Sequence, residues 1–263
     1  MNSSNFNAVV ELARNAGEAI MNIYQQDFSA STQTKADDSP LTAADLAAHQ
    51  CIVDGLSELT PQRPILSEES AAIDWRERQQ WSSYWLVDPL DGTKEFIKKN
   101  GEFTVNIALI ENGEPVWGVV HAPALHCTYE GGPAVHGSRK WLQGEAQGIS
   151  VAQLPKGRSG WRLVGSRSHQ SDAFQSFVAA FDEPEIQSLG SSLKICLVAE
   201  GAAHLYPRLG PTSEWDTAAA HAVLRGAHGE MVDAVTGYPL RYNQGESLLN
   251  PYFIAAPAEY SLG

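Results

Sequence analysis

A change of texture partway along the chain predicts a layered protein of mixed α and β structure, an α+β part followed by an α/β part. Residues 1–148 carry two amphipathic helices and then antiparallel strands, whereas residues 149–263 alternate strand with helix. The chain has 263 residues, 43% of them hydrophobic and 19% charged, so it can bury a sizeable core and is not compositionally disordered. Lysine plus arginine number 18 against 31 for aspartate plus glutamate, a formal net charge of −13. Such a field repels polyanions and excludes a general nucleic-acid role. It does not exclude a small phosphorylated substrate, because a bound divalent cation inverts the local charge.

The first helix is expected from Phe6 to Tyr24, where Val9, Val10, Ala13, Ala16, Ile20 and Ile23 recur at helical spacing. The polar run STQTKADDSP is too rich in Ser, Thr and Asp to pack, and Pro40 favours a new helix start. A second helix is expected from Leu41 to Leu59, burying Leu46, Ile52, Val53 and Leu56 and stopping before Pro61. Strands follow at Arg63–Leu66, Tyr84–Val87, Phe103–Ile110 and Val116–His121, the last two joined by Asn112-Gly113, a strong hairpin signal. Gly131 to Gly148 shows no clear period; it is assigned a further hairpin and a connector, and the domain boundary is placed there.

Beyond the boundary the expected order is strand Arg162–Gly165, helix Ser171–Phe181, strand Glu185–Ser188, helix Ser191–Glu200 and strand Ala203–Tyr206. A helix over Asp216–Leu224 and strands at Met231–Asp233 and Tyr252–Ala255 complete it. Cys51, Cys127 and Cys196 are odd in number and widely spaced, which argues against a disulfide framework and fits a reducing compartment. The N-terminal residues lack a basic and an apolar leader region, and no apolar run approaches the roughly 20 residues of a membrane span. The expected location is the cytoplasm.

Three acidic clusters each sit where an element ends. Glu68-Glu69 follows one strand, Asp88-Pro89-Leu90-Asp91-Gly92-Thr93 follows another, and Trp215-Asp216-Thr217 opens an alanine-rich helix. Ligands gather at strand ends and helix N-termini in layered α/β proteins, so the three clusters can converge. Converging carboxylates repel one another unless cations neutralise them, and hard oxygen donors at that density suit Mg²⁺ or Mn²⁺. Pro89 stiffens the turn, Gly92 permits close backbone approach, and the N–H groups of Gly92 and Thr93 can face a phosphate oxygen. Read singly, each of these acids is as well explained as a cap or turn residue.

SEES, WLVDPLDGTKEF and EWDTAAAHAVL, in that order and preceded by DDSPLTAAD, resemble the signatures of the inositol-monophosphatase-like, Mg²⁺-dependent, lithium-sensitive phosphatases. DGTKEF, VGSRSH, LGSSLK and LYPRLGPTSEWD resemble the bacterial 3′(2′),5′-bisphosphate nucleotidase branch of that family. The resemblance implies the layered α-β-α-β-α sugar-phosphatase fold, with the site in the cleft between the two parts. It implies that Glu68, Asp88 and the Leu90 carbonyl hold one Mg²⁺ and that Asp88, Asp91 and Asp216 hold a second. A weaker third ion would sit near Glu68, and Mn²⁺ would substitute. Asp45 and Thr93 would form a relay to the attacking water, with Glu68 beside it; read alone, Asp45 is an ordinary solvated helix residue.

The substrate implied is adenosine 3′,5′-bisphosphate, with 3′-phosphoadenylyl sulfate as a second. Its scissile phosphate would lie against Glu68, Leu90, Asp91, Gly92, Thr93 and Asp216. Ser166 and His169 would contact ribose or base, and Ser191 and Lys194, which with Gly190 open a helix, would bind a second phosphate. The plainer readings stay open: His169 as a helix cap, Lys194 as a surface lysine. An inositol or sugar monophosphatase and a non-catalytic metal- or nucleotide-binding module also stay open. So do monomer against homodimer and peripheral attachment to the cytoplasmic face of the inner membrane. His121, His126 and His136 lack ligand spacing and are read as structural, and Trp75, Trp81, Trp85 and Trp117 as packing residues.

Overall fold

A computed structural model describes residues 3–26, 40–165 and 171–261. Helices α1 (Ser3–Tyr24) and α2 (Pro40–Leu59) precede a seven-stranded sheet whose strands lie in sequence order. These are β1 (Ile65–Ser67), β2 (Ser83–Asp91), β3 (Thr104–Glu111), β4 (Glu114–Ala122), β5 (Cys127–Gly132), β6 (Gly137–Leu142) and β7 (Glu145–Ile149). Only β1–β2 is parallel; the rest is an antiparallel meander. The β3–β4 hairpin turns at Asn112 (φ 52°) and Gly113 (φ 78°), the left-handed pair that a tight hairpin needs.

Strand alternation sorts the side chains onto two faces. Trp85, Val87, Val105, Ile107 and Leu109 pack with α1 and α2, where Phe6 stacks on Trp117 at 4.6 Å between ring centroids. Tyr84, Leu86, Ala108 and Ile110 face the other way, against α6 (Leu193–Ala199) and α7 (Ala218–Gly226). Under those helices lies a second sheet, β10 (Tyr206–Arg208), β12 (Phe253–Pro257) and β11 (Gly229–Asp233) in that spatial order. The parallel pair β8 (Arg162–Gly165) and β9 (Glu185–Ser188) extends it through a bridge between Leu163 and Leu205. Phe177, from α5 (Asp172–Val178), packs with Trp161, Leu163 and Ile254 on the far side. The order of layers is therefore α-β-α-β-α.

The middle layer is thin because its residues are small. A Cβ on Gly118 of β4 would lie 2.4 Å from the Ala219 carbonyl oxygen, so the backbone of α7 rests directly on the sheet. At the other end of α7, a Cβ on Gly226 would lie 2.7 Å from the Gly132 nitrogen. The alanine-rich sequence of α7 is what permits this approach. Among the described residues, no helix is long and apolar enough to cross a membrane.

Several boundaries differ from the sequence reading. The buried stripe of α2 is Leu41, Ala44, Asp45, Ala48, Ile52 and Leu56; Leu46 lies off that stripe and is 48% exposed, and Val53 is only half-buried. The Gly131–Gly148 region is two successive hairpins rather than one and a connector: β5 turns into β6 at a 3-10 segment ending in left-handed His136, and β6 into β7 at Gln143 (φ 52°) and Gly144 (φ 88°). The expected strand Ala203–Tyr206 is displaced to Tyr206–Arg208, with Leu205 retained as the bridge to Leu163. A short helix α3 (Trp75–Arg78) was not anticipated, and α4 (Thr93–Ile97), the helix after Gly92, is only five residues long. Helix α6 starts at Leu193 rather than Ser191, and α7 at Ala218 rather than Asp216, after a 3-10 turn over Glu214–Asp216.

Candidate active site

Asp88 and Asp91 are three positions apart, so in an unbroken strand they would face opposite sides. Strand β2 instead continues through Pro89, and its register slips: Asp88 pairs with Asn106 but Asp91 with Thr104, three steps on one strand against two on the other. The extra residue is a bulge, the one place where an internal strand tolerates proline. Its effect is visible in the core: Leu90 joins Trp85 and Val87 on the α1–α2 face. Asp91 is thereby turned to the side that Asp88 occupies. The Leu90 N–H donates to Asp88 Oδ1 at 3.0 Å and fixes the turn.

Asp216 arrives from the opposite layer. Ser213 and Asp216 form a capping box, with the Ser213 N–H donating to Asp216 Oδ2 at 2.8 Å, which orients the carboxylate at the entrance to α7. Asp88, Asp91 and Asp216 each offer an oxygen within 4.8 Å of the others. Glu68, in the 3-10 turn directly after β1, stands outside this group of three but close enough that its charge acts on Asp88 and Asp216. Asp45 is buried on α2 and its charge also acts on Asp88. One turn further along α2, His49 Nδ1 and Ser67 Oγ lie 2.9 Å apart, tying α2 to the end of β1.

Crowding shows in the ionisation. Burial, then Asp91, Glu68, Asp216 and Asp45, push the Asp88 carboxyl well above the usual carboxylate range. Burial and then Asp216 raise Asp91 to about 7, against the opposing pull of Lys194 and the hydrogen bonds from Ser192 and Asn106. Asp216 is raised to about 6, by burial first and by Glu68, against the Ser213 N–H, Arg208 and Lys194. Oxygen-only donors that repel one another this strongly are a fit for a hard divalent cation.

Beside the carboxylates opens a cleft of about 170 Å³, lined by Asp91, Gly92 and Asp216 together with Ser191, Lys194, Tyr206 and Arg208. Gly92 has φ 95°, and a Cβ there would press on the Glu102 carbonyl and Phe103 Cα at 3.2 Å, so this position requires glycine. Lys194 Nζ donates to the Leu189 carbonyl at 3.2 Å; burial lowers its pKa while Asp91 raises it. Ser191 is held at φ 47°, and its buried hydroxyl and Arg208 Nε have no hydrogen-bond partner among the described residues.

The structure thus brings Asp88, Leu90, Asp91, Gly92, Asp216, Ser191 and Lys194 to one region, with Glu68 and Asp45 alongside. Thr93 is the first residue of α4, immediately after Gly92. Ser166 and His169 lie outside the described residues. The N–H of Gly190, which precedes Ser191 at the expected helix opening, is already engaged by Glu102 Oε2 at 2.8 Å. His121 is held by Thr128 Oγ1 at 2.9 Å, away from the acidic cluster. Sequence reasoning passed over Ser192, Thr104 and Asn106, whose importance lies in a network that no spacing reveals; Ser192 adjoins Ser191 in the LGSSLK motif, its one visible signal.

The chain belongs to the inositol monophosphatase family, whose sequence pattern it matches over residues 1–261. Among characterised relatives, the 3′(2′),5′-bisphosphate nucleotidase CysQ of Escherichia coli K12 is 50% identical over 250 residues, covering 93% of this chain and 96% of that protein. The crystal structure of CysQ from Bacteroides thetaiotaomicron superposes with a TM-score of 0.87 at 43% identity, covering 98% of both chains. An inositol monophosphatase from Zymomonas mobilis shares the fold with a TM-score of 0.77 at 23% identity, over 97% of this chain and 94% of that one.

Proposed function

We propose that this protein is a 3′(2′),5′-bisphosphate nucleotidase that hydrolyses adenosine 3′,5′-bisphosphate to AMP and phosphate, with 3′-phosphoadenylyl sulfate as a second substrate. The observation that carries this reading is a cleft that Asp91 and Asp216, two of three clustered carboxylates, line together with Lys194 and Arg208. A substrate with two phosphates suits both kinds of group: one phosphate beside a cation-loaded acidic cluster, the other beside the two basic side chains. The half-identical nucleotidase relative supports the same reading.

Asp88, Asp91 and Asp216 would hold two or three Mg²⁺ ions, Mn²⁺ substituting, with Glu68 and the Leu90 carbonyl completing the ligand set. Bound divalent cations supply Lewis-acid stabilisation of charge on the phosphoryl oxygens and make water more acidic. Asp45 orients the Thr93 hydroxyl, and the pair, with Glu68 beside it, positions the attacking water and takes its proton. Water oxygen bonds to phosphorus as the bond to the ribose 3′ oxygen breaks, and the leaving oxygen gains a proton. Gly92 lets the backbone approach the phosphoryl group, while Ser191, Lys194 and Arg208 hold the other phosphate. Ser166 and His169 are assigned to ribose or base contact on sequence grounds.

The test is a comparison of kcat/KM for adenosine 3′,5′-bisphosphate and inositol 1-phosphate on the same Mg²⁺-loaded preparation. The reading expects the bisphosphate to be preferred by about a hundredfold or more, since the inositol ester leaves the basic side chains of the cleft unpaired. Equal or faster cleavage of the inositol ester would assign the protein to the monophosphatases, and no cleavage of either to a binding module.

Metal binding should also reshape stability with pH. A carboxylate raised in the folded state stabilises the protein below its unfolded pKa, about 4, and that contribution is lost as pH rises through the folded value. For Asp91 and Asp216 the loss runs up to about 7 and about 6. Mg²⁺ replaces the lost protons, so its increase in Tm should be larger at about pH 8 than at about pH 5. Thermal unfolding with and without Mg²⁺ reads this directly; an equal shift at both values would contradict it.

A further inference from the structure

The loop Leu189–Ser192 meets the metal-ligand strand through one residue. Ser192, almost fully buried, donates its N–H to Asp91 Oδ2 at 2.6 Å and its hydroxyl to Asn106 Oδ1 at 2.8 Å. Having spent its single proton on Asn106, the Ser192 hydroxyl must accept from Thr104 Oγ1, 2.9 Å away. With its carbonyl oxygen committed to Ser192, the Asn106 amide has one orientation left, and its Nδ2 turns toward the same Asp91 Oδ2 at 3.5 Å. The bonds therefore run in one direction, from Thr104 through Ser192 and Asn106 to Asp91. Both bonds to Asp91 fall on Oδ2.

On the other flank, Glu102 grips the Gly190 N–H at 2.8 Å. A Cβ on Gly190 would sit 2.5 Å from Glu95 Cγ and 2.7 Å from the Glu102 carbonyl, so the loop is pressed against the segment between β2 and β3. Held on both sides, Ser191 takes its left-handed φ of 47° and keeps its hydroxyl buried beside the cleft, without a partner among the described residues.

We propose that Ser192 and Asn106 are a positioning pair that sets the Asp91 carboxylate for metal binding, and that Ser192 thereby couples the metal cluster to the phosphate-binding loop. The proposal rests on the reading of Asp91 as a metal ligand. Ser192→Ala keeps the N–H bond to Asp91 but frees the Asn106 amide to rotate, presenting its oxygen to a carboxylate. The loss falls on metal affinity and on substrate KM together, whereas kcat at saturating metal is preserved.

The experiment measures Mn²⁺ binding by electron paramagnetic resonance without substrate, alongside kcat and KM for adenosine 3′,5′-bisphosphate. Ser192→Ala and Asn106→Leu should each weaken Mn²⁺ binding about five- to tenfold, and the double variant should be no weaker than the worse single. Ser192→Thr, which keeps the hydroxyl, should restore binding, and Thr104→Val should weaken it in the same direction should Ser192→Ala fail to fold. Unchanged Mn²⁺ binding in Ser192→Ala, Asn106→Leu and Thr104→Val, with binding lost in Asp91→Asn, would overturn the positioning role alone. Unchanged binding in Asp91→Asn would overturn the ligand assignment and the positioning role with it.

Discussion

Asp91→Asn is expected to lower kcat/KM by about a thousandfold or more while leaving the protein folded. Asparagine has the shape of aspartate, and its side-chain oxygen can still accept the Ser192 N–H that now reaches Asp91 at 2.6 Å. What disappears is the negative charge, which is the property that a divalent cation requires. The substitution also removes one of three carboxylates whose oxygens lie within 4.8 Å of one another. In metal-free buffer above neutral pH, the variant should therefore unfold at or above the temperature of the parent. Measured together, kinetics and thermal unfolding separate the two effects. Parental turnover would remove Asp91 from the mechanism, and a collapsed Tm would make its role structural.

Gly118→Val is expected to be the most damaging single change outside the site, costing about 3 kcal/mol or preventing folding. The atoms that a Cβ would strike are the carbonyl oxygen of Ala219 at 2.4 Å, its Cα at 2.8 Å and its carbonyl carbon at 2.9 Å. No side chain can rotate out of the way, because all three belong to the backbone of α7. The helix has no room to retreat: it lies between two sheets and is pressed against Gly132 and Gly137 at its other end. Any displacement that relieved the clash would carry Asp216, just before α7, away from Asp88 and Asp91. Denaturant unfolding should show the loss of stability, and a residual folded fraction should bind Mn²⁺ poorly. A change below about 1 kcal/mol would show that the close approach of sheet and helix has slack.

The site was legible in the sequence to the extent that it is made of residue types at element ends. Glu68, Asp88, Asp91 and Asp216 each follow or open an element whose period could be read, and convergence follows from layering. How Asp88 and Asp91 come to one side was not legible. The sequence reading ended the strand at Val87, where the apolar run stops, and took Pro89 as part of a turn, whereas the bulge at Pro89 continues the strand. Leu46 was misplaced on α2 because hydrophobicity was read without the exact phase of the helix, and the stripe Leu41, Ala44, Ala48, Ile52 is set by small alanines that carry little signal. The Thr104–Ser192–Asn106 chain lay beyond sequence reasoning because it joins strand to loop across 86 positions through hydroxyl and amide groups found everywhere in proteins.

Crystals grown with MnCl₂ and measured at an energy where manganese scatters anomalously test the central claim most directly. Anomalous peaks are expected among the carboxylates of Asp88, Asp91 and Asp216, with Glu68 or the Leu90 carbonyl turned toward one of them, and are expected to vanish in Asp91→Asn. Manganese bound elsewhere, with these carboxylates bare and turnover untouched by chelation, would contradict the account.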